Sequence, residues 1–249
     1  MRLDHLLSKE YCSEENRELA LFPRYAVSGT GLKGRASGAP FFMPPLSLLT
    51  RTVSRVLPHD VRDATDLELR CYLAGASRDG TRSDRHNTFR FGQKDRRWLD
   101  VLACCLAQLG HRSWCYREGR TRSFWVLETT APILEFQARG LGVGSRGAAA
   151  YVRGYFDADG GIPGDERSRM YIQFTQKDRA DLSVVHRFLA DLGIRCGRLH
   201  RPSRRVAPEY WRFYVAARSI PAFLDVVGSW HPGKREILER RGPLRTGVC

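Results

Sequence analysis

The sequence predicts an α+β protein built from two αββαββα units, and three observations carry that prediction. One stretch of about eighty residues occurs twice, each copy alternates short strands with amphipathic helices, and each copy follows a helix that stops at Asp-Gly.

The repeat is the firmest of the three. Phe89-Arg90-Phe91-Gly92-Gln93-Lys94-Asp95-Arg96 lies over Ile172-Gln173-Phe174-Thr175-Gln176-Lys177-Asp178-Arg179, with F-x-Q-K-D-R in common. At the same offset of 83, Leu99 meets Leu182, Leu106 meets Leu189 and Leu109-Gly110 meets Leu192-Gly193. Downstream, Phe124-Trp125-Val126 falls over Phe213-Tyr214-Val215, which gives the second copy six extra residues in the intervening turn. Gly144-Ser145-Arg146 then meets Gly233-Lys234-Arg235. Copies of this length indicate a duplicated domain rather than a solenoid.

Each element follows from local pattern. Over 96–109 and 179–192, apolar residues recur three and four apart and the run ends at Gly110 or Gly193, which predicts helices closed by a left-handed glycine. A short alternating strand ends at Phe91 or Phe174 before each helix. Two strands around an arginine-rich turn follow, 112–118 with 122–128 and 195–200 with 210–216. A short helix over 131–139 or 220–228 completes the copy. The expected units are 61–146 and 147–249, preceded by an extension, 1–60, that is linker-like from Ser28 to Pro45.

Composition narrows the class of function. The chain has 249 residues and a formal net charge of +14, and only five of its 41 cationic residues are lysine. Such a surface suits a polyanionic partner. No apolar run is long enough for a membrane span, and the first twenty residues carry Asp4, Glu10, Glu14, Glu15 and Glu18 in place of a secretory apolar core. An intracellular location is expected, cytoplasmic, nucleoid-associated or organellar. The seven cysteines form no C-x-x-C pair, so neither a zinc site nor a disulfide framework is expected.

The chemistry is carried by two motifs. Cys71-Tyr72-Leu73-Ala74-Gly75-Ala76-Ser77-Arg78-Asp79-Gly80 precedes the first copy, and Tyr151-Val152-Arg153-Gly154-Tyr155-Phe156-Asp157-Ala158-Asp159-Gly160 the second. Gly75 and Gly154, with their alanine neighbours, leave room for two helix backbones to meet. The glycines after Asp79 and Asp159 are expected to end each helix in a left-handed residue. Two aspartates at negative helix ends, brought together across a pseudo-twofold axis, repel one another and invite a divalent cation. Oxygen ligands suit Mg²⁺, with Mn²⁺ able to substitute. Asp79 and Asp159 are therefore the expected metal ligands, with the carbonyls of Arg78 and Ala158 as auxiliaries.

The second motif resembles the LAGLIDADG signature position by position. The first departs from it: Ser77 stands where Asp157 does, and Arg78 where a small residue is usual. The resemblance implies a single-chain, monomeric homing endonuclease whose two repeats form a saddle of antiparallel sheets over double-stranded DNA, cutting phosphodiester bonds at an intron-insertion site. It further implies catalytic roles for Asp79 and Asp159, for Gln93 and Gln176 near the scissile phosphates, and for Lys234, with Arg146 as its counterpart in the first repeat. Lys94 and Lys177 are alternative bases. DNA contacts are expected from Arg82, Arg85, Asn87, Arg90, Arg117 and Arg122 in the first repeat, and from Arg167, Arg169, Gln173, Arg198, His200 and Arg204 in the second, because Phe89, Phe91, Ile172 and Phe174 must take the helix-facing side of the strands. An intron RNA maturase and a non-catalytic DNA-binding regulator are the alternatives on the same fold.

Overall fold

The computed structural model describes residues 59–119, 124–136, 145–202, 205 and 208–241. The extension expected over 1–60 lies almost wholly outside the described residues, as do Arg122 and Arg204.

Helix α1 (Asp66–Ala76) opens on a capping box: the Glu68 N–H donates to Thr65 Oγ1 at 3.3 Å, and the Glu68 carboxylate accepts from the Thr65 N–H at 2.9 Å. A 3₁₀ turn, Ser77–Asp79, leads into strands β1 (Gly80–Ser83) and β2 (Thr88–Gln93). Helix α2 (Arg96–Gln108), strands β3 (Ser113–Glu118) and β4 (Phe124–Thr129) and a 3₁₀ turn at Ile133–Glu135 follow. The second repeat runs through α3 (Arg146–Asp159), β5 (Gly160–Gly161), β6 (Gln173–Gln176), α4 (Arg179–Asp191), β7 (Trp211–Tyr214), α5 (Ile220–Val226) and α6 (Pro232–Arg241).

The duplication is accurate where the sequence showed it best. Helices α2 and α4 are both thirteen residues long, and aspartates at equivalent positions, Asp95 and Asp178, cap them. Gly110 (φ 77°) and Gly193 (φ 75°) are left-handed as expected. At each end the next residue's N–H reaches back to close the helix, His111 to Leu106 and Ile194 to Leu189, both at 2.8 Å.

Among the described residues all strand pairing is antiparallel, in the order β1-β2-β4-β3 for one sheet and β5-β6-β7 for the other. The ladders correct the downstream alignment of the repeats. Gln93 is paired with Trp125 and Gln176 with Trp211, so the equivalent tryptophans are 86 residues apart and the second copy has three extra residues, not six. Arg96 and Arg179 lie over these two rings, at 4.9 and 4.8 Å from the centroids.

The strand expected over 195–200 is reduced to two bridges, Cys196 with Val215 and His200 with Arg212. Four steps on one side face three on the other, so one surplus residue bulges out and breaks the ladder. The helix expected over 131–139 is a single 3₁₀ turn at Ile133–Glu135 that stops at Phe136, and 137–139 lie outside the described residues.

The core forms where sheets and helices meet. Phe89, Phe91, Phe174 and Phe213 turn toward the helices and are buried with Trp98, Tyr155 and Phe156. At its centre α1 crosses α3 with backbone against backbone. A Cβ on Gly75 would stand 2.1 Å from the Tyr151 carbonyl oxygen, and one on Gly154 would stand 2.0 Å from that of Tyr72.

The glycines after the two aspartates serve a different need from the one expected. Gly80 (φ −115°) and Gly160 (φ −72°) are extended, not left-handed. What they lack is room: a Cβ would meet the Phe89 ring at 2.1 Å in one case and the Phe156 ring at 2.1 Å in the other.

Candidate active site

The α1–α3 crossing carries Asp79, at the end of its 3₁₀ turn, and Asp159, the last residue of α3, to the same end of the helix pair. Each is held by a glutamine of its own repeat. Gln93 Nε2 donates to Asp79 Oδ2, and Gln176 Nε2 donates to Asp159 Oδ2 at 2.8 Å. Burial and the Asp159 charge push the Asp79 carboxyl up to about 7, against the pull of the Gln93 bond and the Lys234 charge. Carboxylates forced together in this way, with backbone carbonyls of Arg78 and Ala158 one residue upstream, are a donor set that a hard divalent cation fits.

Lys234 reaches this site from the start of α6. Its Nζ donates to the carbonyls of Asp157 at 2.9 Å and Gly160 at 2.8 Å, and also to that of Phe156. It therefore caps the negative end of α3 and offsets the charge of both aspartates. Burial holds the ammonium down to about 8, opposed by the charges of Asp157, Asp159 and Asp79. Arg146 is a correction: it opens α3 and lies the length of that helix, roughly 20 Å, from Asp159. Lys94 and Lys177 are exposed, and Lys177 pairs with Glu209 at 3.5 Å.

One cluster escaped the sequence reading. Asp157 is buried and accepts from the Tyr72 hydroxyl at 2.7 Å and from the backbone N–H groups of Trp230 at 2.9 Å and His231 at 3.0 Å. Trp98 Nε1 donates to the same Tyr72 oxygen at 2.9 Å. Tyr72 and Trp98 belong to the first repeat, so this cluster fastens the segment leading to Lys234 onto the opposite half. The only sequence signal was the acid of the second motif, with Ser77 in its place in the first.

His231 completes the latch. Its ring stacks on Trp98, centroids 5.4 Å apart, and Nδ1 accepts from the Gly233 N–H at 3.1 Å, which requires that nitrogen to be unprotonated. Burial, then the Lys234 charge, lower its pKa to about 4. A depressed histidine pKa contributes stability that is present above about 6.5 and is lost as pH falls toward 4, up to roughly 3 kcal/mol. Relative to a His231→Gln variant, the wild-type chain is expected to lose melting temperature across that window. A difference between the two that does not vary with pH would contradict the buried, neutral ring.

The residues expected to touch DNA divide by face. Arg90 and Gln173 lie on the side of the sheets away from the helices, with half-buried side chains. Arg82 and Arg117 do not: they stand opposite Phe89 and Trp125, so strand parity turns them to the helix side at the sheet rim. Arg85 and Asn87 (φ 47°) occupy the exposed β1–β2 turn. Arg167 and Arg169 stand on an exposed loop, and Arg241 braces it by donating to the carbonyls of Pro163 and Asp165 at 3.0 and 2.9 Å. Arg198 is exposed beside the bulge, and His200 faces Arg212 across it. No described helix is long and apolar enough to cross a membrane.

Two sheets, two crossing helices that lead to paired aspartates, and a strand-borne glutamine on each aspartate make up a LAGLIDADG-type fold. Solved structures agree. The homing endonuclease I-DmoI in complex with DNA and Ca matches with a TM-score of 0.53 and 16% identity, over 72% of this chain and 100% of that one. Full-length WhiA from Thermatoga maritima matches with a TM-score of 0.52 and 14% identity, over 74% of this chain and 64% of that one. The N-terminal LAGLIDADG domain of WhiA matches at 0.51 and 16%, over 66% and 84%. By sequence, residues 147–228 match the model of the LAGLIDADG-like domain, and no curated protein matches. By sequence the match to the LAGLIDADG-like domain covers the second repeat alone, and by fold both repeats resemble the LAGLIDADG structures.

Proposed function

We propose that the chain is a metal-dependent, site-specific endonuclease for double-stranded DNA, acting as a monomer in which 61–146 and 147–249 each engage one half of the target. The observation that carries this reading is the pair of aspartates, one from each repeat, each fixed by a glutamine at the same position of its own sheet. A structural Asp-Gly helix stop has no need of a second copy beside it.

Asp79 and Asp159, with the carbonyls of Arg78 and Ala158, would hold Mg²⁺ or Mn²⁺. When bound, the cation supplies Lewis acidity to the scissile phosphate. The chain's own residues do the rest. Gln93 and Gln176 fix the carboxylate orientations, Lys234 balances the negative charge at the end of α3, and the basic loops hold the duplex backbone.

A second reading, DNA binding without cleavage, draws on Lys234. Three backbone carbonyls accept from its Nζ, which matches its three donors, and Arg146 is remote. One experiment separates the two: duplexes retained by the purified chain are recovered from a random library, cloned into a plasmid and incubated with the protein and Mg²⁺. Linear product that disappears with chelator supports the nuclease; retention with no cutting at any Mg²⁺ or Mn²⁺ concentration rejects it in favour of a binding protein.

A further inference from the structure

The two sheets share a fold but differ in chemistry on the faces turned away from the helices. In the second sheet that face carries Gln173 and Thr175 opposite Tyr214 and Arg212, with His200 beyond Arg212. Arg212 Nε donates to Thr175 Oγ1 and Nη1 to the Tyr214 hydroxyl, both at 3.2 Å. None of these five residues is acidic. The equivalent positions of the first sheet hold Arg90 and Gly92 opposite Glu128 and Val126, and β3 adds Trp114, Tyr116 and Glu118.

The charges on this first face are already organised. Arg90 Nη2 donates to the Tyr116 hydroxyl and to Glu118 Oε1, each at 3.0 Å. Tyr116 in turn donates to Glu128 Oε2 at 3.2 Å, and Thr88 Oγ1 donates to Glu128 Oε1 at 2.6 Å. Where the second sheet has Thr175 and Arg212, the first has Gly92, overlain by the Phe124 ring, and buried Val126. Among the described residues of this face, one guanidinium, held by a carboxylate, therefore stands with two oriented carboxylates.

Building on the DNA-binding reading above, we propose that Glu118 and Glu128 are specificity determinants for the half-site under the first repeat, selecting base pairs by the amino groups they expose in the major groove. An ionised carboxylate only accepts hydrogen bonds, whereas phosphate oxygens and the guanine O6 and N7 edge are also acceptors. The donors available in the groove are cytosine N4 and adenine N6. The second sheet, with Gln173 and Arg212, reads the other half-site without such a filter.

The test uses the full chain carrying Asp159→Asn, which limits the readout to binding. Duplexes are selected from a random library, and the selection is repeated with Glu118→Gln, Glu128→Gln or Gln173→Ala added. Glutamine keeps the size of glutamate and an oxygen to accept from Arg90 at position 118, or from Tyr116 or Thr88 at position 128, and melting temperatures verify that each variant is folded. The expected result is a two-part consensus in which a glutamate variant weakens a cytosine preference about tenfold, or exchanges it for adenine, in one part, while Gln173→Ala alters only the other. Unchanged preferences in both glutamate variants, or a uniform gain in affinity for every sequence, would overturn the inference and leave the DNA-binding reading standing. If no duplex is enriched at all, both fall.

Discussion

Replacing Asp159 by asparagine is expected to lower the cleavage rate at least about 10³-fold, equivalent to roughly 4 kcal/mol of transition-state stabilisation, while leaving duplex affinity within a few-fold. The amide keeps the shape of the side chain and its place at the end of α3, but it removes one of the two anions that would share the cation. Asp79→Asn should do the same from the first repeat. Removal of either charge also relieves the repulsion that adds to burial in pushing the Asp79 carboxyl up to about 7. Both variants should therefore melt higher than the wild-type chain in chelator at pH 8. That second readout separates lost chemistry from lost fold, since inactivity accompanied by a lower melting temperature would count against the assignment. Gln93→Leu and Gln176→Leu, which only unfix the carboxylates, should cost less, about 10- to 100-fold.

The next largest effect is expected at the helix crossing. A single methyl group on Gly154 would lie 2.0 Å from the Tyr72 carbonyl oxygen, and that oxygen belongs to backbone that cannot swing aside. Gly154→Ala must push α1 and α3 apart along their whole contact, at a cost of about 3 kcal/mol or more, or roughly 6–12 °C of melting temperature for a chain of this size. The same displacement separates Asp79 from Asp159, so cleavage should fall further than stability alone accounts for. Gly164→Ala is the matched control, because a Cβ there meets nothing within 4 Å. Equal melting temperatures for the two variants would show that the crossing is looser than described.

Much of this was legible in the sequence for definite reasons. Helices α2 and α4 combine a regular apolar period with a glycine stop, so a gap-free offset found both, with the right first residue and an end one residue too late, at the caps Leu109 and Leu192. The glutamines and aspartates came with them, because each sits at a fixed distance from those helices or from the small-residue motif. The failures have equally specific causes. Phe124-Trp125-Val126 and Phe213-Tyr214-Val215 look alike as triplets, yet only the ladder partners Gln93 and Gln176 reveal which tryptophans correspond. Gly80 and Gly160 were read through backbone handedness, whereas a neighbouring aromatic ring dictates them. Arg146 was chosen by register with Arg235, but the same register begins one helix far from the site and another beside it. Strand parity alone could have moved Arg82 and Arg117 to the helix side; the arginine-rich composition obscured it. The Asp157 cluster joins residues 72, 98, 157 and 230, and no local pattern encodes so distant a meeting.

That cluster also ties the two halves into one piece. Asp157 of the second repeat takes one of its hydrogen bonds from Tyr72 of the first, and without that hydroxyl a buried carboxylate would be one donor short, a penalty of about 1–3 kcal/mol. Neither half can therefore be lifted away without stranding a charge that the other keeps satisfied.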